Sequence, residues 1–257
     1  MNKTADAFLR LVTIMDELRA QCPWDQKQTI HSLRAMTIEE LYELVDAIDA
    51  NDWQGIKEEL GDLFLHLLFY TKIGTEQHQF LLEDVLHSIA EKLVRRHPHI
   101  YGDTKVNDEE DVKRNWQKIK LAEGKANKSI LEGVPKSLPA VVKALRIQEK
   151  AKQVGFEWEH KDDVWKKVEE EVNEFKEAVQ ANDSPNMEAE FGDILFSLIN
   201  YARFLQIDPE AALEKTNQKF IQRFKAMEAI AASRAQSLDN LTLAQMDELW
   251  NSVKHKN

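Results

Sequence analysis

The chain has 257 residues, 43% hydrophobic and 31% charged, with a formal net charge of −11. Such a composition describes a soluble globular protein, and 8 Gly with 6 Pro leave little room for a turn-rich β fold. The acidic balance disfavours general affinity for nucleic-acid backbones, although a local cation or metal can still hold a phosphate.

Helical periodicity dominates in chain order. Phe8, Leu11, Val12, Met15 and Leu18 share one helical face, and Cys22-Pro23-Trp24-Asp25 breaks that helix. Cys22 is the single cysteine, so no internal disulfide forms and a reducing compartment is expected. Met1 to Leu18 lacks the apolar core of a signal peptide, and the apolar run Leu63 to Tyr70 is too short to span a bilayer. The expectation is a cytoplasmic protein with no membrane partner. Thr37 is expected to cap a helix ending near Ala50, Asn51-Asp52 to form a turn, and Trp53 to about Ile73 to form the next helix. Another spans roughly Leu81 to Arg96 and stops at His97-Pro98, because the residue before proline avoids the helical region. Short joints between four helices imply an antiparallel bundle. An amphipathic helix over 108–122 precedes Glu123 to Pro139, whose Gly, Pro and small polar residues read as a linker. Helices near 139–153, 163–181, 186–205 and 209–234 follow, with a terminal one over Leu241 to Val253.

The second half repeats the first. Glu39, Glu40, Glu43, Glu59 and Asp62 recur 131 positions later as Glu170, Glu171, Glu174, Glu190 and Asp193. Between Glu39–Tyr70 and Glu170–Tyr201, 12 of 32 positions are identical without a gap, which identifies a duplicated domain. The expected organisation is a first domain over 1–122, a linker over 123–138 and a second domain over 139–257.

The repeated acids carry the chemistry. Glu59, Asp62 and His66 fall on one stripe of a helix otherwise apolar nearly all round, so the carboxylates are expected to face the bundle interior. Leu41, Leu44, Val45 and Ile48 form the core stripe of the preceding helix, with Glu39, Glu40 and Glu43 on the adjoining arc. Packed antiparallel, the two helices gather four or five carboxylates, whose repulsion requires a cation. Oxygen ligands alone select a hard ion, Mg²⁺ or Mn²⁺, and Mg²⁺ commonly takes substrate phosphates as further ligands. A di-iron centre would need Glu-x-x-His on two helices, and the helices bearing these acids carry none. Cations for the phosphates are available at Lys92 and Arg96, and at Lys219 and Arg223, each pair at i, i+4 spacing.

These residues resemble the MazG family of all-α nucleoside triphosphate pyrophosphohydrolases. The resemblance is carried by Glu40-x-x-Glu43 with Glu59-x-x-Asp62, and by Glu171-x-x-Glu174 with Glu190-x-x-Asp193. Cys22-Pro-Trp-Asp25, Arg95-Arg-His-Pro-His99, Val154-Gly-Phe-Glu-Trp158 and Lys219-Phe-Ile-Gln-Arg-Phe224 add to it, as do Gly133-Val-Pro135 and Leu249-Trp250. The fold it implies is all-α: two tandem MazG-like four-helix-bundle domains joined by a helical/loop linker. The activity it implies is Mg²⁺-dependent hydrolysis of nucleoside triphosphates, at the α-phosphorus, to monophosphate and pyrophosphate, in a homodimer whose sites are lined by more than one subunit. Broad-specificity cleaning of the nucleotide pool is the physiological role expected.

On this resemblance the metal ligands are Glu40, Glu43, Glu59 and Asp62 in the first copy, and Glu171, Glu174, Glu190 and Asp193 in the second. Glu170, Glu171 and Glu174 are the catalytic candidates, with Glu170 or Glu171 as general base. Asn217, Lys219, Arg223, Lys92 and Arg96 are expected on the triphosphate, and Trp158 either packs on the base or belongs to the core. Aligning Lys92 with Lys219 sets Asn217 opposite Ala90 and Phe224 opposite His97, which favours the second copy as principal catalyst. The competing class is a helical assembly or regulatory protein that binds nucleotide without turnover. It is distinguished by incubation with Mg²⁺ and a nucleotide panel.

Overall fold

A computed structural model describes residues 2–122 and 129–254 of the chain. The described residues are helical, with turns between, and contain no strand. Two compact units, Met1–Ala126 and Asn127–Asn257, divide the chain. The start of the expected linker, 123–128, lies outside the described residues.

The first unit contains α1 (Lys3–Gln21), α2 (Ile30–Asp49), α3 (Trp53–Glu76), α4 (Leu82–Arg96), α5 (Pro98–Tyr101) and α6 (Glu109–Ala122). α2 and α3 form a hairpin, and α1 lies against α3. Met15, Leu33, Leu68, Phe69 and Ile73 make the buried core. The start of α2 departs from the sequence expectation. Thr29, not Thr37, caps it: the Thr29 hydroxyl accepts from Ser32 N at 3.1 Å, and Ser32 Oγ accepts from Thr29 N at 2.8 Å. This reciprocal capping box satisfies two orphan donors at once and starts the helix about two turns before Thr37. Thr37 instead sits inside the helix, where its hydroxyl lies 2.8 Å from both His66 Nδ1 and Tyr70 OH and donates to Leu33 O at 2.9 Å.

The second unit contains α7 (Ala140–Lys152), α8 (Lys161–Ala181), α9 (Ser184–Phe204), α10 (Pro209–Ser233) and α11 (Leu243–Lys254). α8 and α9 form the matching hairpin, with α7 packed on α9. The segment before α7 is tied to that helix by two lysines of one face. Lys143 Nζ donates to Lys136 O at 2.7 Å, and the buried Lys150 Nζ donates to Ile130 O at 3.0 Å.

The identical Ala-Asn-Asp at the two hairpin bends has a structural cause. Asn51 and Asn182 take positive φ, 54° and 53°, a conformation asparagine tolerates better than most residues. Asp52 and Asp183 then cap the following helix, accepting from Gln54 N and Gly55 N in one copy and from Asn186 N in the other. The tripeptide stops one helix and starts the next, which sets the hairpin and brings the acids together.

One expectation about the core is corrected. Leu41, Val45 and Ile48 are exposed, and only Leu44 of that stripe is partly buried. On α3, Leu60, Phe64 and Leu67 are exposed too, and their counterparts Phe191, Leu195 and Leu198 repeat this in the second unit. The apolar arc of each hairpin is wider than the helices of its own unit cover.

Candidate metal and nucleotide site

The acids converge in both copies. Ligand atoms of Glu40, Glu43 and Glu59 lie within 4.8 Å of one another, as do those of Glu171, Glu174 and Glu190. Glu40 and Glu59 are half-buried, Glu171 is buried, and Glu43 and Glu174 are exposed. Asp62 stands outside the tight group, yet its charge acts on Glu40 and Glu59. Asp193 is exposed and also outside it.

Crowding shows in the protonation of these groups. In the first copy the Glu40 carboxyl is pushed above its ordinary value by burial, then by the charges of Asp62, Glu43 and Glu39, with a hydrogen bond to Glu59 in partial opposition. Glu59 is raised by burial, by the charges of Glu43, Glu40 and Asp62, and by its hydrogen bond with Glu40. The two carboxyls are crowded among like charges, and Glu59 Oε2 is buried with no hydrogen-bond partner. His66, beside them, is lowered by burial against the opposing charge of Asp62.

In the second copy Glu174 is raised by burial, by a hydrogen bond with Glu171, and by the charges of Glu171 and Glu190. Here a lysine supplies positive charge. Lys167 Nζ lies 2.8 Å from Glu170 Oε1 and 2.7 Å from Glu171 Oε1. Those bonds, to Glu170 and then Glu171, raise the ammonium above its ordinary value against the effect of burial. The acids the copies share do not by themselves point to Lys167. The signal was the difference: 131 residues earlier the position is Met36.

An orphaned buried carboxylate oxygen within a group of all-oxygen donors fits a hard divalent cation such as Mg²⁺ or Mn²⁺. The raised carboxyls give a testable sign. Above the ordinary 4.5 and up to their raised folded values, Glu40 and Glu59 hold more protons folded than unfolded. The stability of the metal-free first unit therefore falls as pH rises through that window. Thermal melts in EDTA should show this fall, Glu59→Gln should reduce it and melt higher at neutral pH, and Mg²⁺ should reverse it for wild type alone. Identical pH slopes for wild type and Glu59→Gln would refute the contribution of Glu59 to this fall.

The cationic residues stand apart from the acids. Asn217, Lys219 and Arg223 lie on α10, and among the described residues no hydrogen bond or ion pair joins them to Glu171, Glu174 or Glu190. Asn217 Nδ2 donates to Glu214 Oε2 at 3.1 Å, and Lys219 is exposed. The Arg223 guanidinium lies 5.8 Å from the Trp250 ring centroid, with Nε buried and unpartnered. Arg96 of α4 makes the same kind of stack on Trp116 at 5.4 Å, and Lys92 is exposed. Both copies thus hold an arginine over a tryptophan ring, a pairing the spacing of the basic residues did not reveal. Trp158 is 41% exposed, so it is not a core tryptophan. It sits in a loop whose Glu157 is pinned by Arg203 at 2.6 Å.

Comparison with known proteins follows the repeat. The MazG nucleotide pyrophosphohydrolase domain matches residues 28–101 and again 160–227. The chain is 43% identical over 257 residues to the nucleoside triphosphate pyrophosphohydrolase/pyrophosphatase MazG of Thermotoga maritima, covering 99% of this chain and 98% of that protein. It is 40% identical over 254 residues to the nucleoside triphosphate pyrophosphohydrolase of Escherichia coli K12, covering 96% and 97%. It is 49% identical over 251 residues to the uncharacterized protein YabN of Bacillus subtilis 168, covering 96% of this chain and 51% of that protein. The helical hairpin with its carboxylate cluster is present twice, each copy falls within a stretch the domain matches, and the chain belongs to the MazG nucleotide pyrophosphohydrolase family.

Proposed function

We propose that the protein is a Mg²⁺-dependent nucleoside triphosphate pyrophosphohydrolase that releases monophosphate and pyrophosphate. The observation that carries this reading is the duplicated carboxylate cluster, found in a family whose members of nearly full-length similarity bear that name. In the second copy Glu171, Glu174, Glu190 and Asp193 would hold the ion, as Glu40, Glu43, Glu59 and Asp62 would in the first. A bound Mg²⁺ neutralises charge on the leaving pyrophosphate and acidifies water.

The chain's own residues supply the rest. Glu170 and Glu171 offer carboxylates for the proton of the attacking water. Arg223, held against Trp250 with a free donor at Nε, and Lys219 offer charge-assisted hydrogen bonds to the triphosphate. These groups read phosphates, which all nucleoside triphosphates share, and that supports a broad substrate class and a role in cleaning the nucleotide pool. The exposed apolar stripes of the two hairpins support a homodimer, since a second copy would cover them. No helix among the described residues is long and apolar enough to cross a membrane, and we place the enzyme in the cytoplasm.

Incubation with a nucleotide panel tests the reading. Monophosphate and pyrophosphate should appear with Mg²⁺ and vanish with EDTA. Orthophosphate in their place, or binding without turnover, would overturn it.

A further inference from the structure

The two copies surround the same acids differently. In the first, Glu40, Glu43 and Glu59 crowd together, and among the described residues no lysine pairs with them, position 36 being methionine. In the second, the Lys167 ammonium bridges Glu170 and Glu171 from about one helical turn away, at i, i+3 and i, i+4. Glu171 is the most enclosed acid of either cluster, with its side chain 7% exposed, while Lys167 is 34% exposed. The lysine is thus partly solvated, with its ammonium on a carboxylate that a cation would need.

We propose that Lys167 is a resident counter-ion that makes the second copy the weaker of two unequal cation sites, filling only as Lys167 releases Glu171. This rests on the cation reading given above. A divalent ion at Glu171 would face a fixed positive charge 2.7 Å from one of that residue's oxygens. The lysine stem is unbranched and partly solvated, so it can swing outward, but the charge-assisted bonds it leaves oppose loading. The first copy presents Met36, which offers no such competition. A bare surface ion pair, by contrast, contributes little and would leave cation affinity unchanged.

The test uses the full chain and Mn²⁺, with free ion counted by electron paramagnetic resonance. Glu40→Gln/Glu59→Gln silences the first cluster, and Glu171→Gln/Glu190→Gln silences the second. The chain with only its first cluster should bind Mn²⁺ about tenfold more tightly than the chain with only its second. Adding Lys167→Met to the latter should recover about that factor, Lys167→Arg should not, and Met36→Lys should weaken the first cluster. Unchanged or weaker Mn²⁺ binding with Lys167→Met overturns the inference. Absence of Mn²⁺ uptake in every chain, wild type included, overturns the cation reading itself.

Discussion

Glu174→Ala is expected to lower pyrophosphate release by about a hundredfold or more, since cation stabilisation of the transition state is worth several kcal/mol and each 1.36 kcal/mol is a factor of ten. Glu43→Ala, its counterpart in the first copy, should lower it far less. The acids alone do not produce this difference, because three carboxylates converge within 4.8 Å in both copies. Nor does the arginine–tryptophan stack, which both copies have. The asymmetry rests on what surrounds them. Asn217 on α10 offers a carboxamide where the first copy has Ala90, and Lys167 stands at the second cluster where the first has Met36. A weakly loaded site suits catalysis on a metal-bearing substrate, because Mg²⁺ commonly keeps waters and arrives on phosphates while only a few carboxylates hold it. Steady-state release of pyrophosphate by the two variants decides the matter. If Glu43→Ala alone abolishes it, the first copy is the catalyst and Lys167 marks the second as a spent site.

Much of this architecture was readable from periodicity. The helix pattern, the hairpin bends at Ala-Asn-Asp and the convergence of Glu-x-x-Glu with the following helix all depend on local rules, and local rules are written in short stretches of sequence. Thr37 shows where such rules compete. As a mid-helix threonine it resembles a cap, but the reciprocal Thr29–Ser32 bonds start the helix earlier, and Thr37 serves a buried contact with His66 and Tyr70. Leu41, Val45 and Ile48 show a second limit: periodicity identifies an apolar face but not what covers it. Lys167 shows a third. Its partners are one turn away and visible in the sequence, yet its meaning appears only when Glu171 is seen to be buried beneath it. The placement of Asn217, Lys219 and Arg223 relative to the acids was not legible, because it depends on how α10 packs rather than on α10 itself.

Leu67→Asp is expected to convert a homodimer into monomers without unfolding either unit. Leu67 is 60% exposed and lies outside the buried core of the first unit, so a carboxylate there stays solvated in the single chain. It continues the stripe of Leu60 and Phe64, which runs along α3 at the helical repeat, with Leu41, Val45 and Ile48 exposed on α2. If a second copy covers this surface through a two-fold interface, each substitution enters it twice. An unpaired charge buried there costs about 3–5 kcal/mol, so two weaken association by more than about four powers of ten. Light scattering after size exclusion should report a dimer for wild type and a monomer for Leu67→Asp, with unchanged helix content. Leu198→Asp asks the same of the second copy, whose α9 stripe is also exposed but whose α8 carries Lys176 where α2 carries Val45. Lys176 makes that face less apolar, so the second copy should contribute less to the interface and Leu198→Asp should weaken the dimer less. Pyrophosphate release that falls with dissociation would mean the active site draws helices from both copies. Release that persists in the Leu67→Asp monomer would confine catalysis to one chain, and a wild type that runs as a monomer would remove the dimer altogether.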